Sequence, residues 1–446
     1  MKILLIQPSE KPVIGQRKIR GSIMPPIGLM TIAATVLRCI KKVDVELRDF
    51  EANNGDESLD FSGFDVIGLT GTSVHMPHAY NLIKQARKGN PSALIILGGP
   101  HATYCDKQLL AELPELDAIC RGEGEISFIK LLEEYKFDRK VPTIQGISSR
   151  RSLSEKLSPT VQDLDEIPSP DYNIIKLSKY QLSTHRKSLE VPFASMITSR
   201  GCPNSCVYCQ TPNMFGTRLR YNSPGRVSKD IMCLIENSKI RSVVFWDDTF
   251  TANRKRTINL CKEIKNLGIT WMCNTRVECI DLDLLKIMFD SGCRLIFFGV
   301  ESSSDDTILK LGRSKKPLMK KTVDAFNWCK EVGIKTIGTI MIGAPGDSQD
   351  DLVKNVRFLQ SLAPDNVYIS IYNVTPGAAD YQRALNDGSL RDSQGKAISR
   401  IEWGKLQFYG PPFGLPTVNR RFNRSDLQDA QKWAYEQFGL NKNEYE

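Results

Sequence analysis

The stretch FASMITSRGCPNSCVYC, residues 193–209, decides how this chain is expected to fold. Its first seven residues are mostly apolar, which is typical of a buried strand, and a loop with the cysteine pattern CxxxCxxC follows directly. The thiolates of Cys202, Cys206 and Cys209 can bind three irons of a cubane 4Fe–4S cluster. A closed zinc site or an electron-transfer cluster would use four protein ligands, and no fourth Cys or His lies nearby in the sequence. The pattern therefore predicts a cluster with one iron open to a bound amino acid.

Strand-like and helical segments alternate from this stretch to about residue 385. Each predicted strand is a short apolar run, and a helical segment such as VSKDIMCLIENSK follows it. The runs after the first lie at 242–247, 269–274, 295–300, 335–342 and 366–372. Six strand–helix units predict a partial (β/α)6 barrel over residues 191–385, with its reacting groups at the carboxyl ends of the strands.

Residues 1–140 show the same alternation. Short apolar runs at 2–6, 43–49, 65–71 and 93–99 are separated by helical segments, which predicts a parallel, doubly wound Rossmann-like sheet. Ligands of such sheets bind at the carboxyl ends of the strands, where glycine and small polar residues let the backbone approach a large ligand closely. The candidate binding residues at those ends are Pro8, Thr70, Gly71, Ser73, Gly98, Gly99, His101, Gly122 and Glu123.

Two further regions complete the predicted organisation. Residues 141–190 hold several prolines and the stretch DLDEIPSPDY (163–172), and we expect a linker that wraps between the domains. Residues 386–446 are expected to form a small C-terminal cap over the barrel mouth, which ends in a helix near 425–438. Its aromatic patch consists of Trp403, Phe408, Tyr409 and Phe413. Core packing, rather than contact with a substrate, is the expected role of Tyr368, Tyr372, Trp403 and Tyr409.

The composition is ordinary for a soluble globular protein. The 446 residues are 41% hydrophobic and 25% charged. The net charge of +9 is spread along the chain, so charge alone does not indicate a binding partner. No apolar run approaches the roughly 20 residues that a membrane span needs. Twelve cysteines without an export signal predict a cytoplasmic protein in which metal binding is expected rather than disulfides. The scattered cysteines are expected in the core, namely Cys39, Cys105, Cys120, Cys233, Cys261, Cys293 and Cys329.

The three-cysteine loop, with Tyr208 directly before the last Cys, resembles that of the radical S-adenosylmethionine (SAM) superfamily. The resemblance implies that the three cysteines bind the cluster, that Tyr208 packs near the adenine of SAM, and that SAM is cleaved to methionine and a 5′-deoxyadenosyl radical. It also implies an electron donor such as ferredoxin or flavodoxin. Further SAM contacts are implied at the strand ends, by Asp247, Asp248, Arg276, Glu301 and Gly343. A strand-end carboxylate can equally cap a helix.

The pairing of the two halves resembles the cobalamin-binding radical SAM group, of the class B methyltransferase type. The motifs GGPHAT, GEGE, DLDEIPSPDY, FWDDTF and GVES carry this resemblance over about residues 1–385. It implies a cobalamin between the domains, bound by the strand-end residues named above. Many cobalamin domains carry a cobalt-binding His in the loop after the first strand, but here that loop reads Gln7-Pro8-Ser9-Glu10. The lower face of the cobalt is thus expected to be unligated or bound to water. His75, His78 and His101 are possible contacts, although the role of a polar loop residue is the one expected for each.

The reaction implied is transfer of a methyl group from SAM, via methylcobalamin, to an unactivated carbon of a peptide, protein or small molecule. A cobalamin-binding radical cyclase or ring-rearranging enzyme has the same two domains and stays open as an alternative, as does a non-catalytic cobalamin sensor. A methylthiotransferase would need a second set of three cluster cysteines near the amino terminus, and the cysteine spacing there does not supply one. Basic clusters at 150–151, 313–321 and 420–424 match no nucleic-acid recognition motif, so nucleic-acid binding is not expected.

Overall fold

The computed structural model describes residues 1–10, 22–53, 59–138, 140–183, 186, 188–392, 394–405 and 416–440. These residues form two six-stranded sheets and one two-stranded hairpin. The sheets correspond to the two alternating series in the sequence, so the predicted α/β fold with a Rossmann-like domain and a partial barrel is confirmed.

The first sheet has the strand order β2-β1-β3-β4-β5-β6, and its first five strands in sequence are parallel. The strands are β1 Lys2–Gln7, β2 Asp44–Asp49, β3 Val66–Leu69, β4 Leu94–Leu97, β5 Ala118–Cys120 and β6 Ile147–Ser149. Strands of parallel sheets are nearly all apolar because helices cover both faces. Here the covering helices are α1 Ile27–Cys39, α2 Met76–Gly89, α3 Gly99–Glu112 and α4 Gly124–Asp138.

Strand β6 lies inside the region for which an extended linker is expected. It pairs antiparallel with β5 and so extends the first sheet as far as residue 149. The rest of the linker runs along both domains. The Tyr172 hydroxyl donates a hydrogen bond to the Ser195 carbonyl of the barrel, and the Tyr180 hydroxyl donates one of 2.9 Å to Asp49 Oδ2 of the first domain. The linker is therefore bound to both halves.

The second sheet is wholly parallel, with the order β14-β13-β12-β11-β10-β7. Its strands are β7 Phe193–Met196, β10 Ser242–Phe245, β11 Thr270–Thr275, β12 Cys293–Glu301, β13 Lys335–Ile342 and β14 Asn366–Ile371. The helices between them are α6 Pro224–Ser238, α7 Arg254–Ile264, α8 Leu282–Asp290, α9 Asp305–Lys310, α10 Met319–Val332 and α11 Gln349–Ser361. A hairpin of β8 Ser199–Arg200 and β9 Arg220–Tyr221 carries the cysteine loop and the short helix α5 Thr211–Phe215.

Alternate side chains of these strands point into the barrel, and the lowest layer of them is apolar. Phe193, Val244, Met272, Leu295 and Ile337 pack there against residues from outside the barrel. The first domain contributes Ile23, Met24 and Ala52, and the linker contributes Ile175, Tyr180, Leu182 and Leu189. The floor of the barrel is thus closed by all three parts of the chain.

The C-terminal region is divided between the two domains. Helix α13 Arg424–Glu436 packs on the outer face of the barrel, where the Tyr435 hydroxyl accepts a 3.0 Å hydrogen bond from the Ile369 amide. Trp403 lies instead against the first domain, 4.5 Å from the His101 ring. Helix α12 Ala379–Asn386 precedes both. The predicted aromatic residues Phe408, Tyr409 and Phe413 lie outside the described residues.

Two predictions about side-chain burial are wrong. Cys39 and Cys233 are exposed rather than in the core, because each lies on the outer side of its helix. Tyr368 is 53% exposed, whereas Tyr372 and Trp403 are buried as expected. Among the described helices, none has both the length and the hydropathy that a bilayer crossing requires.

Candidate functional site

The cysteine loop is held at the barrel mouth by a tight glycine turn. Gly201 has φ +94°, and a Cβ at this position would collide with the Arg218 carbonyl oxygen, which lies just before β9. The loop then closes on itself through a 3.1 Å hydrogen bond from the Cys202 amide to the Gly216 carbonyl. Gly312 leaves room for the Ser205 carbonyl, which a Cβ there would approach to 2.7 Å. Glycine on both sides therefore fixes where the three thiols lie.

Each of the three sulfur atoms accepts a hydrogen bond from a different N–H group. Asn204 donates to Cys202 Sγ at 3.4 Å, Arg276 to Cys206 Sγ at 3.6 Å, and the Thr211 amide to Cys209 Sγ at 3.4 Å. N–H donors of this kind hold and orient the sulfur atoms that bind a metal. Within the described ranges, no three His, Cys, Asp or Glu side chains converge on one ion position. The donor set fits a cubane, in which each thiolate binds its own iron, better than a single zinc ion.

A fourth cysteine, which sequence spacing did not reveal, lies near this loop. Cys279 belongs to the short helical turn Val277–Cys279 that follows β11. Burial, and then the Glu278 carboxylate, raises the pKa of the Cys279 thiol to about 11, and Cys202 also contributes to this rise. Burial also raises the pKa of Cys209 in the loop, so the raised pKa of Cys279 does not by itself separate it from the cluster cysteines; Cys279 is set apart by its position outside the CxxxCxxC loop.

Arg276 belongs to a buried ion-pair network beside Cys206. Its Nε donates a 2.7 Å hydrogen bond to Glu278 Oε1, and Arg313 Nη1 donates one of 2.9 Å to the same oxygen. Arg313 Nη2 also donates to the Gly299 carbonyl at 2.9 Å. Neither Glu278 nor Arg313 was predicted from the sequence. The network holds the Arg276 guanidinium in place at the cysteine loop.

Glu301 lies at the edge of the same network. It follows a shift of register between Gly299 and Glu301 in β12, and its φ of +69° is unusual for a residue with a side chain. Burial raises the pKa of its carboxyl to about 7, although Arg313 and Arg276 oppose the rise. A strained, desolvated carboxyl at a strand end is typical of a binding site.

The predicted pair Asp247 and Asp248 divides into two different environments. Asp247 is fully buried, and its carboxylate accepts hydrogen bonds from the Thr198 amide and hydroxyl at 3.2 and 2.9 Å. Asp248 is open at the mouth and accepts a 3.0 Å hydrogen bond from the Thr211 hydroxyl. Protein surrounds Asp248 on most sides, and this desolvation, followed by the charge of Asp247, raises its pKa to about 6. Asp248 is the carboxylate free to contact a ligand, and Asp247 ties β10 to β7.

Tyr208 and Gly343 are both in contact with protein. The Tyr208 ring lies edge-to-face with Tyr372 at 6.1 Å between ring centroids, and burial, with the nearby Glu301 and Cys206, raises the pKa of its hydroxyl. Gly343 has φ +79°, and a Cβ there would come within 2.5 Å of Leu427 Cδ2 on α13. This packing explains the glycine at position 343 without any ligand.

In the first domain, the loops after β3 and β4 are packed on each other. Gly99 has φ +89°, and a Cβ there would lie 2.6 Å from Thr70 Oγ1 and 2.9 Å from the Gly71 amide nitrogen. His101 follows on α3, and its Nδ1 is 2.9 Å from the Ser73 hydroxyl. The Nε2 atom of His101 is buried, and the described residues offer it no hydrogen-bond partner. Closely packed glycine loops with one buried, unpaired polar atom fit the binding of a large cofactor there.

The two other histidines of this face are engaged by the protein. His78 Nδ1 accepts a 2.9 Å hydrogen bond from the Ser9 amide, in the loop that lacks the cobalt-binding His. His75 caps its own helical turn through Thr72. Burial lowers the pKa of both imidazoles to about 4, so both are neutral at physiological pH.

Glu123 is paired with the barrel. Its Oε2 lies 2.6 Å from Arg200 Nη1, and its other oxygen is bonded to Arg220. Arg200 also pairs with Glu125 at 2.6 Å. Burial alone would raise the pKa of Glu125, but Arg200 outweighs it and holds that pKa below its usual range. The Glu123 carboxylate, predicted as a cobalamin contact, is thus occupied at the domain interface. One of its two partners, Arg200, lies two residues before Cys202. The other arginine, Arg220, was not predicted.

Comparison with known proteins agrees with this arrangement. Residues 196–359 match the Radical SAM superfamily, and residues 18–132 match the B12 binding domain. The uncharacterized methyltransferase PH0819 of Pyrococcus horikoshii is 32% identical over 99% of this chain and 93% of its own length. The anaerobic magnesium-protoporphyrin IX monomethyl ester cyclase of Rubrivivax gelatinosus is 25% identical over 90% of this chain and 70% of its own.

Solved structures show the same fold. TsrM, a radical SAM methyltransferase of Kitasatospora setae determined with cobalamin and a 4Fe–4S cluster, has a TM-score of 0.75 at 15% identity, over 99% of this chain and 91% of its own. The cobalamin-dependent SAM radical enzyme OxsB has a TM-score of 0.73 at 18% identity, over 98% of this chain and 67% of its own. The chain therefore belongs to the cobalamin-binding radical SAM enzymes, whose cofactors are a 4Fe–4S cluster, SAM and cobalamin.

Proposed function

We propose that this enzyme transfers a methyl group from SAM to an unactivated carbon of its substrate. The observation that carries the proposal is the ion pairing of Glu123 with Arg200 and Arg220. Glu123 follows β5 of the first sheet, and the two arginines flank the cysteine loop. The carboxyl end of the first sheet is therefore held against the mouth of the barrel, as a reaction shared between two cofactors requires. Similarity to methyltransferases over nearly the whole chain supports the same reaction.

The side chains at the interface divide between the three cofactors. We propose that Cys202, Cys206 and Cys209 bind the cluster and that Asp248, Arg276 and Glu301 contact SAM, with Tyr208 beside it. The proposed cobalamin contacts are Pro8, Thr70, Gly71, Ser73, Gly98, Gly99, His101 and Gly122. When bound, these cofactors would supply the radical that removes a hydrogen atom and the methyl group that replaces it.

The chain's own residues position the reactants and keep water out. Arg276 donates a hydrogen bond to the Cys206 sulfur, while the Glu278 and Arg313 network holds Arg276 in place. Buried Glu301 can hold or release a proton near neutral pH, because its pKa is about 7. Below them, the apolar floor of the barrel excludes water from the space where a radical would form.

The substrate is proposed to be a peptide, a protein or a small molecule, and the electron donor a ferredoxin or flavodoxin. The experiment is anaerobic turnover of the reconstituted enzyme with SAM, cobalamin, a reductant and a panel of candidate substrates. Methyl transfer gives products heavier by one methylene group, which carry label from methyl-deuterated SAM. Deoxyadenosine formed together with a converted but unlabelled product would contradict methyl transfer.

Cyclisation is the second candidate, and the similarity to the Rubrivivax gelatinosus cyclase over 90% of this chain favours it. Ring closure or rearrangement adds no carbon to the substrate. The same mass spectrum therefore distinguishes the two reactions, since label from SAM enters the product only in methyl transfer.

A further inference from the structure

The middle layer of the barrel interior is aromatic and open. Three aromatic side chains are at inward-facing positions of the barrel strands. Trp246 directly follows β10, Phe297 lies within β12, and Tyr368 lies within β14. Tyr368 is 53% exposed, although its strand neighbours Val367 and Ile369 are 3% and 1% exposed. An aromatic side chain with this exposure inside a barrel borders a cavity, because the core on the other face of the strand is fully packed.

The three aromatic rings form a wall around this cavity. The Phe297 and Tyr368 rings are 6.1 Å apart with planes inclined at 52°. On the other side, Trp246 Nε1 donates a 3.3 Å hydrogen bond to the Ser195 hydroxyl, which fixes the indole. Aromatic side chains present rigid flat faces on which another flat ring can stack. The wall lies one layer below Asp248 and Arg276, and thus below the proposed SAM contacts.

One positive charge faces the aromatic wall without a counter-charge. The guanidinium of Arg186 lies 5.5 Å from the Trp246 ring and donates hydrogen bonds of 2.7 and 3.2 Å to the hydroxyls of Ser22 and Ser183. Its Nε is buried without a partner, and no carboxylate of the described residues pairs with it. Burial lowers the pKa of the Arg186 guanidinium, and the nearby Tyr368 hydroxyl opposes this change. A desolvated guanidinium without an anion is costly, since burial disfavours its charge.

A carboxyl group of the first domain also lies near the same tyrosine. Burial, and then the charge of Glu10 from the loop after β1, raises the pKa of Tyr368, whereas the charge of Arg186 opposes the rise. The cavity therefore has a cationic end at Arg186, an aromatic middle, and a carboxyl at the first-domain end. A molecule bound there would be oriented by this difference in charge.

We propose that this cavity is the substrate site and that it takes a flat aromatic molecule with an anionic group, carboxylate or phosphate, bound by Arg186. The planar fork of a guanidinium binds either anion through two parallel hydrogen bonds. The inference rests on the proposed function, because it assigns the substrate class of the same reaction. The residue that binds the anion comes from the linker, outside both cofactor-binding domains.

The test is calorimetric titration of the holoenzyme with saturating SAM and no reductant, so that SAM occupies its own site and nothing turns over. The probes are 2-naphthoate, its neutral amide 2-naphthamide, 2-naphthyl phosphate, and the non-planar cyclohexanecarboxylate. We expect naphthoate or naphthyl phosphate to bind roughly tenfold or more tightly than naphthamide, as a charge-assisted hydrogen bond supplies. Whichever anion binds more tightly identifies the head group. Cyclohexanecarboxylate should bind more weakly than naphthoate, because it cannot stack.

Variants distinguish the contribution of the Arg186 charge to probe binding from that of the Tyr368 ring. Arg186→Gln should remove the preference for the anion, Arg186→Lys should keep part of it, and Tyr368→Leu should weaken naphthoate and naphthamide alike. Arg254→Gln, at an exposed ion pair with Asp281, is the matched control and should change nothing. Unchanged SAM binding and cluster absorbance show that a variant is folded.

Equal affinities for naphthoate and naphthamide, or an anion preference that survives in Arg186→Gln, would overturn the substrate class. Probes that bind the holoenzyme without SAM but not with saturating SAM would show that the cavity belongs to SAM, and this also overturns the inference. The proposed function is judged separately, by label transfer from SAM. Probe binding as expected without methyl transfer to any substrate would contradict the function and leave the cavity assignment intact.

Discussion

Replacement of Glu123 by Gln tests the ion pairs that join the two domains. The Glu123 carboxylate is 2% exposed and is bonded to Arg200, 16% exposed, and to Arg220, 5% exposed. With Glu125 included, two buried carboxylates balance two buried guanidiniums. The glutamine variant leaves one positive charge uncompensated in a desolvated interface. Removing one partner of a buried pair typically costs about 3–5 kcal/mol, and we expect a loss of that size in the free energy of unfolding.

The assay is urea unfolding of the purified protein, followed by far-ultraviolet circular dichroism. Glu125→Gln should cost less, because Glu125 pairs with Arg200 alone. Since both carboxylates share Arg200, the double variant should not equal the sum of the two single losses. The matched control is Glu46→Gln, at an exposed pair with Arg48, for which a loss below about 1 kcal/mol is expected. A Glu123→Gln loss as small as that of the control would refute the assignment of these ion pairs as the interdomain clamp.

Three further predictions concern single side chains. Burial raises the pKa of Asp49 to about 6, so the folded state loses stability as pH rises from about 4 to 6. In denaturant unfolding measured between pH 4 and pH 7, the free energy of unfolding of Asp49→Asn should therefore rise by up to about 3 kcal/mol relative to that of the parent. The same pH dependence of stability in both proteins would contradict this. Cys279→Ala should keep the iron and sulfide content of the reconstituted protein, whereas Cys202→Ala should lose it; a loss in both would make Cys279 a ligand. Gly99→Ala should lower the free energy of unfolding by about 1–3 kcal/mol and weaken cobalamin uptake. Gly98→Ala should barely change stability, because its added Cβ would have no atom closer than 3.6 Å. Equal stability losses in the two variants would refute the role of the Gly99 turn.

Most strands of both sheets could be predicted because they are short apolar runs. Helices cover both faces of the first sheet, and in the barrel they cover the outer face while the inner face lines the interior. The run KTIGTIMI at 335–342 is a strand over those same residues, and the first run, 2–6, extends by one residue to Gln7. Strand β6 was missed, since its three residues ISS carry almost no apolar signal. Only its pairing with β5 makes it a strand, and pairing across the sheet is not encoded locally.

The candidate site was predicted best where the residues are close together in sequence. The cysteine loop and the strand-end residues could be found from local motifs. The partners of Arg200 could not, because Glu123 and Glu125 lie 77 and 75 residues away from it. The exposure of Tyr368 was predicted wrongly, since an aromatic residue in an alternating strand is equally typical of a packed interior and of a cavity wall. The difference depends on how widely the barrel opens, which no single strand determines.

The closed floor of the barrel limits where the chain can be cut or recombined with a relative. Met24 and Ala52 from one half, and Leu189 from the linker, plug the bottom of the other half. A fragment cut at the start of the barrel would expose that apolar layer to solvent and should aggregate. Chimeras that graft the barrel of one relative onto the amino-terminal half of another should fold only when the plug residues are exchanged too, because the two halves share this apolar layer.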